Sequence, residues 1–206
     1  MSSNPINACL DILTSPRDTF DTLKDKKAWS WFPFGLVITS TVALFLYYFS
    51  VVDFEWMLDQ MLEQMAVQNE MSAEQLQATQ EAMSKTSMTW GTLLGGAIGI
   101  IVINAFMAVY LNLITKVYSP NEMTFTAWYG FSWWTSMPFV ISSLLAALVI
   151  MFSSAGMVSL EDLSPTSLGF LADRSSPWFS FFGGINLFSF WSCLLYTSPS
   201  PRDLTA

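Results

Sequence analysis

"WGTLLGGAIGIIVINAFMAVYLNLI" (Trp90–Ile114) carries no charged side chain. A bilayer's hydrocarbon core needs about 20 residues of helix, and this stretch is longer. Inside hydrocarbon every backbone N–H and C=O must find a partner within its own element, so the stretch reads as a helix. The competing reading is a buried helix of a soluble protein. Such helices seldom hold more than about 14 wholly apolar residues, so they fit poorly here.

The same reading extends outward. The chain of 206 residues is 52% hydrophobic and 16% aromatic, with only 12% charged. A soluble domain has about 25% charged residues. No Asp, Glu, Lys or Arg occurs from Ala28 to Val52, Thr86 to Thr115, Met123 to Leu160 or Ser175 to Pro201. Spans are expected at about Phe34–Val52, Trp90–Ile114, Trp128–Phe152 and Trp178–Tyr196. Trp29, Trp31, Trp90, Trp128 and Trp178 sit near their ends, where amphipathic rings prefer the headgroup level. The fold class is therefore an all-α membrane protein, a polytopic helical bundle. A cytoplasmic segment (1–33) precedes it, and an extramembrane helical pair (53–89) joins spans one and two.

Lys and Arg in short flanks set orientation. Arg17, Lys24, Lys26 and Lys27 precede span one. The first connection carries Asp53, Glu55, Asp59, Glu63, Glu70, Glu74 and Glu81 against Lys85 alone. The second connection has Lys116. The third has Arg174 beside Glu161, Asp162 and Asp173. The N-terminus is expected in the cytoplasm and the acidic connection on the far side.

The N-terminal segment "NPINACLDILTSPRDTF" has the marks of two short helices. Asn4 suits an N-cap and Pro5 the first helical position. Ile6, Cys9, Leu10 and Leu13 fall on one stripe. Ser15 and Asp18 are spaced as a capping box, with Pro16 in the first turn. Phe20 and Leu23 face one way, and Arg17, Lys24 and Lys27 can meet lipid headgroups. The segment is expected to lie on the cytoplasmic leaflet. A solvated tail is the plainer alternative.

Gly91, Gly95 and Gly99 form two small-xxx-small steps on one helix face, which lets backbones approach. Packing within the chain is the expected use, and homodimerisation the lesser one. Asn104 and Asn112 are expected to hydrogen-bond to neighbouring helices. In the acidic connection, Ser72 and Gln75 are spaced as a capping box. Met57, Met61 and Met65 align at i, i+4, i+8. Three thioethers could bind Cu(I). The same spacing suits adaptable packing, and no His or Cys lies nearby, so the stripe is a weak copper candidate.

Enzyme chemistry has little support. The chain has no histidine, and no carboxylate or basic residue sits within a span, where a proton relay would need one. There is no phosphate loop and no serine-nucleophile signature. Catalytic residues, cofactors and a small-molecule substrate are not expected. A net charge of −8 disfavours nucleic acid, whose phosphates need basic arrays. Cys9 and Cys193 make neither a disulfide framework nor a metal site. No cleavable leader is expected, since no small-residue cleavage site follows the first apolar run.

Three segments together resemble the Ypt-interacting protein (Yip) family, and more closely its short bacterial members. "SPRDTF" (Ser15, Pro16, Arg17 and onward to Phe20) with Pro33 is similar to the family's segment before span one. "TKVYSPNEMTFTAWYGFSWWTSMPFV" resembles its cytoplasmic turn and proline-containing third span, through Thr124, Phe125, Tyr129 and Pro138. The family's glycine pair at the turn is replaced by Ser119-Pro120-Asn121. "GGINLFSFWSCLL" is similar to the opening of its fourth span, through Asn186, Leu187, Phe188, Phe190 and Trp191. The resemblance covers most of Asn4–Leu195. It implies five spans, no catalytic residues and a domain here over 34–196. The eukaryotic members act with Rab-type GTPases, but this chain lacks their long N-terminal region, so Rab binding is not carried over. "YTSPSPRDLTA" departs from the pattern. Residues 197–206 are expected to be a non-native tail on a truncated chain, so that four spans stand of five.

The expected function is that of a non-enzymatic membrane protein at the bacterial inner membrane, a scaffold or organiser. Its partners are the lipid bilayer, a second copy or other membrane proteins. The alternative is a small transporter or channel component using Asn104, Asn112 and the Ser/Thr-rich third span (Ser132, Thr135, Ser136, Ser142, Ser143).

Overall fold

The uncharged stretches are helical in the computed structural model, which describes residues 4–24, 26–69, 72–118, 123–153, 156–172, 176 and 178–197. The helices run α1 (Pro5–Thr14), α2 (Pro16–Leu23), α3 (Trp31–Val51), α4 (Phe54–Asn69) and α5 (Ala73–Ala82). They continue as α6 (Lys85–Tyr118), α7 (Phe125–Thr135), α8 (Pro138–Phe152), α9 (Phe179–Gly184) and α10 (Leu187–Thr197). Short 3-10 turns occupy Lys27–Ser30, Leu160–Leu163 and Leu168–Leu171. Among the described residues there is no strand, only an antiparallel bridge between Ser167 and Asn186.

Local chemistry explains the helix starts. The Asn4 side chain accepts from the Asn7 N–H at 2.8 Å, with Pro5 in the first turn. Ser72 and Gln75 close their capping box. The box expected at Ser15 and Asp18 does not form, because Ser15 makes no side-chain cap. The Ser15 N–H is instead bound to the Asp11 carbonyl, which continues α1 almost directly into α2. Pro33, expected just before span one, lies inside the first turn of α3.

Three segments are long and apolar enough to cross a membrane: Ala28–Val51, Lys85–Val117 and Phe125–Phe152. The last consists of α7 and α8, broken at Ser136–Met137. Pro138 has no N–H to give and disrupts the ladder. The break closes with tight bonds from the Phe139 N–H to the Ser136 carbonyl (3.0 Å) and from Val140 to Met137 (3.1 Å). The expected fourth span, Trp178–Tyr196, is not one helix. It divides into α9, of six residues, and α10, of eleven. Ile185 turns extended, and its carbonyl accepts from the Leu168 N–H at 2.9 Å. Asn186 accepts from Thr166 Oγ1 at 3.1 Å. These partners hold Ile185–Asn186 in a non-helical conformation, and α10 alone spans only about 16 Å at 1.5 Å per residue.

The chain divides into two compact units. One comprises Met1–Ser40, Ala97–Ile141 and Leu187–Ala206; the other Thr41–Gly96 and Ser142–Asn186. The first packs Ala8, Cys9 and Ile12 of α1 and Phe20 of α2 with Ala108, Trp128, Phe131, Trp134 and Met137. Cys9 therefore faces the core, whereas Ile6 and Leu10 of the expected stripe are exposed. The second packs Leu44, Tyr48, Phe49 and Val52 with Met57, Ala146, Ile150, Val158 and Leu163. Gly156 has φ +73°, and a Cβ there would stand 2.4 Å from the Val51 carbonyl oxygen, so only glycine fits. Its carbonyl accepts from the Asp53 N–H at 3.1 Å, which fixes the end of α3. Glu70, Ser119-Pro120-Asn121, Asp173, Arg174 and residues 198–206 lie outside the described residues.

Candidate functional site

Helix α7 organises the first unit. Thr124 caps it, accepting from the Ala127 N–H. Trp128, Phe131, Ser132, Trp133, Trp134 and Thr135 are all buried. The second half of α7, Phe131–Thr135, is buried on every side and so must be surrounded by packed elements, while Phe125 in its first turn is exposed. Phe131 meets Phe20 at 4.7 Å and Tyr196 at 5.5 Å between ring centroids. Trp133 receives Phe34 edge-on at 4.8 Å and Tyr129 at 5.8 Å. Gly130 admits Ser30 so closely that a Cβ would lie 2.6 Å from its hydroxyl oxygen.

A polar cluster sits in this apolar setting. Asn104 is buried. Its amide nitrogen donates to the Ile100 carbonyl at 3.0 Å, and its Oδ1 accepts from the Ser136 hydroxyl at 3.3 Å. Ser136 also reaches the Ser132 carbonyl at 2.9 Å, and Thr135 donates to the same carbonyl at 2.8 Å. Asn104 thereby joins α6 to the break before Pro138, where the helical ladder is weakest. Asn112 is different: its Oδ1 is buried without a hydrogen-bond partner among the described residues. The indole N–H groups of Trp128 and Trp133 are in the same condition. Ser142 pairs with Thr166 at 3.4 Å in the second unit.

The glycine face of α6 is not closely packed. A Cβ added at Gly91, Gly95 or Gly99 would meet nothing within 4 Å among the described residues. Close in-chain packing on this face is not seen among the described residues, and Trp90, Leu94, Ile98, Ile103 and Phe106 are exposed along the same helix. Met57 is buried in the apolar core of the second unit, while Met61 and Met65 are half-buried. Met57 packs among aliphatic and aromatic side chains in a core that Met88 also joins, and it lines a small gap together with Met61.

The residues carrying the family likeness are mostly packing residues. Phe20 and Pro33 are buried, and Pro138 ends the break. Phe125 stacks on Tyr129 at 5.9 Å, and Trp191 on Phe188 at 5.7 Å. A family model for the Yip1 domain matches residues 10–198. The chain belongs to the Yip1 domain family. The Yip1 domain here begins within α1 and reaches the end of α10, so it takes in the whole polar cluster, the glycine face and the methionine stripe. Comparison with curated proteins and with solved structures returns no match.

Some structural residues were not singled out in advance. Tyr48 donates its hydroxyl to the Val158 carbonyl at 2.8 Å, and Trp133 and Trp134 are almost wholly buried in the first unit. The tryptophan pair inside a serine-rich stretch was the available signal, since two large rings between small polar residues suit close packing on several sides.

Proposed function

We propose that this Yip1-domain chain is a non-enzymatic integral membrane protein that organises other membrane components through helix packing, with its N-terminus in the cytoplasm. One observation carries this reading. The buried Asn104 side chain is held by Ile100 of its own helix and by Ser136 at the break before Pro138, and the uncharged stretches hold no Asp, Glu, Lys, Arg or His that could move a proton or an ion. The exposed apolar length of α6 offers surface to lipid, to a second copy or to other membrane helices. Arg17, Lys24 and Lys26 before the first span, against the acidic α4 and α5, support the orientation. The methionines of α4 act in packing.

A second reading, a small transporter or channel component, has the unpartnered Asn112 Oδ1 and the two unpartnered indoles in its favour. Solute flux through vesicles reconstituted with the chain separates the two. Vesicles no leakier than protein-free ones are expected. A flux abolished by Asn104→Leu would overturn the organiser reading.

A further inference from the structure

The second unit contains a cavity of about 310 Å³. It is lined by Gln64 of α4, Glu161, Ser164 and Ser167 of the segment after α8, and Phe179 and Ser180 of α9. That volume stands at the lower end of the usual range for ligand pockets, about 300–1,000 Å³. Gly169 and Gly183 form part of the wall. A Cβ on Gly169 would lie 2.7 Å from Gly183 Cα, so the two backbones close this side of the cavity.

Its chemistry is one-sided. The Glu161 carbonyl accepts from the Ser164 N–H at 3.2 Å, but its carboxylate makes no hydrogen bond or ion pair among the described residues, whereas the carboxylate of its neighbour Asp162 is occupied by the Ser159 N–H and hydroxyl. Ser167 is 5% exposed, and its hydroxyl makes no side-chain hydrogen bond among the described residues. Among the described residues no Lys or Arg lines the cavity. The second unit also carries Asp53, Glu55, Asp59, Glu63, Glu74 and Glu81, with Lys85 the basic residue among those described. A cation is the ligand such a lining favours. A quaternary ammonium would call for several aromatic faces, and Phe179 is the one ring among the described lining residues. Oxygen acceptors from a carboxylate, an amide and three hydroxyls instead suit the three N–H donors of a primary ammonium group.

The setting places this lining at a membrane surface. Leu168, Phe170, Leu171, Trp178 and Phe181 are exposed on the elements that form the cavity wall. Large apolar side chains on short 3-10 turns are poorly placed in water. Irregular backbone is also excluded from the hydrocarbon core. The headgroup level suits both, and it is where Trp is enriched. We propose that this cavity binds a primary ammonium group, carried either by a phospholipid headgroup or by a free amine.

The test uses the full chain, delipidated in detergent, with native mass spectrometry as readout. The probes are phosphatidylethanolamine, phosphatidylcholine of the same acyl chains, and ethanolamine alone. Phosphatidylethanolamine is expected to be retained about tenfold better than phosphatidylcholine, as loss of a charge-assisted hydrogen bond would dictate. Glu161→Gln should remove the preference. Gly183→Val should do the same while keeping the carboxylate, since its Cβ meets nothing within 4 Å and its methyls would fill the space. If ethanolamine alone binds and depends on Glu161, the source is a free amine; if only the lipid does, it is the headgroup. Equal retention of the two lipids with no Glu161-dependent ethanolamine binding, in variants whose circular dichroism matches the parent, would overturn the proposal.

Discussion

In the first unit Asn104, Ser132, Thr135 and Ser136 lie buried and bond to one another or to the carbonyls of their own helices. In the second, the buried Tyr48 reaches across 110 positions of sequence to the Val158 carbonyl, on an irregular segment following α8. Both arrangements answer one constraint, that a polar atom without water needs a partner. The first answers it locally, through small side chains at a proline break. The second answers it at long range, by bringing an irregular backbone against a helix. Local pairs survive small shifts of their helices, while the long-range bond depends on the segment after α8 keeping its place.

The largest expected effect lies in the first unit. Trp133, 1% exposed, packs against Phe34 and Tyr129. Trp133→Ala should destabilise the chain by about 3–5 kcal/mol, read as a fall in the thermal midpoint in detergent. A loss below that of Tyr48→Phe would break the comparison by showing the aromatic hub to be slack. Tyr48→Phe should remove about 1 kcal/mol. It should also raise hydrogen exchange in the segment around Val158 and leave the first unit unchanged. Asn104→Leu should cost only about 0.6 kcal/mol, because the serines keep their own carbonyl partners.

The smallest effect concerns Cys9, which lies on α1 before the first span. Burial pushes its thiol up from the ordinary 9.0 to about 11. The unfolded chain therefore releases this proton at lower pH than the folded one, and the contribution to stability is whole below about pH 9 and fades as pH rises through 11. In a Cys193→Ser background, maleimide labelling should be negligible at pH 7.5 in the folded chain and complete once it is unfolded. Ready labelling at pH 7.5 would mean that α1 is not docked on the first unit.

The helices and several of their starts were legible because charge-free length and capping chemistry are local. Asn4, Ser72 and Trp90–Ile114 each needed only their neighbours. The faces were harder. Ile6 and Leu10 share a stripe with Cys9, yet they are exposed while Cys9 is buried. In a membrane protein apolarity marks lipid and core alike, so periodicity cannot say which side packs. The division of Trp178–Tyr196 was hidden for a related reason: its cause is the bonding of Ile185 and Asn186 to Leu168 and Thr166, residues far earlier in the chain. The polar cluster was half legible. Asn104 and the serines announced themselves by type, but their meeting at the break before Pro138 depends on how α6 and α7 pack.

Helix α6 has 34 residues, about 51 Å of rod at 1.5 Å per residue. Lys85 and Lys116 stand close to its two ends, separated by about 46 Å along the axis. A bilayer measured from headgroup to headgroup is about 40–45 Å. That spacing is enough for the two ammonium groups to reach opposite headgroup layers, as floats on either surface of an upright rod. A rod of this length in a thinner membrane would have to lean over.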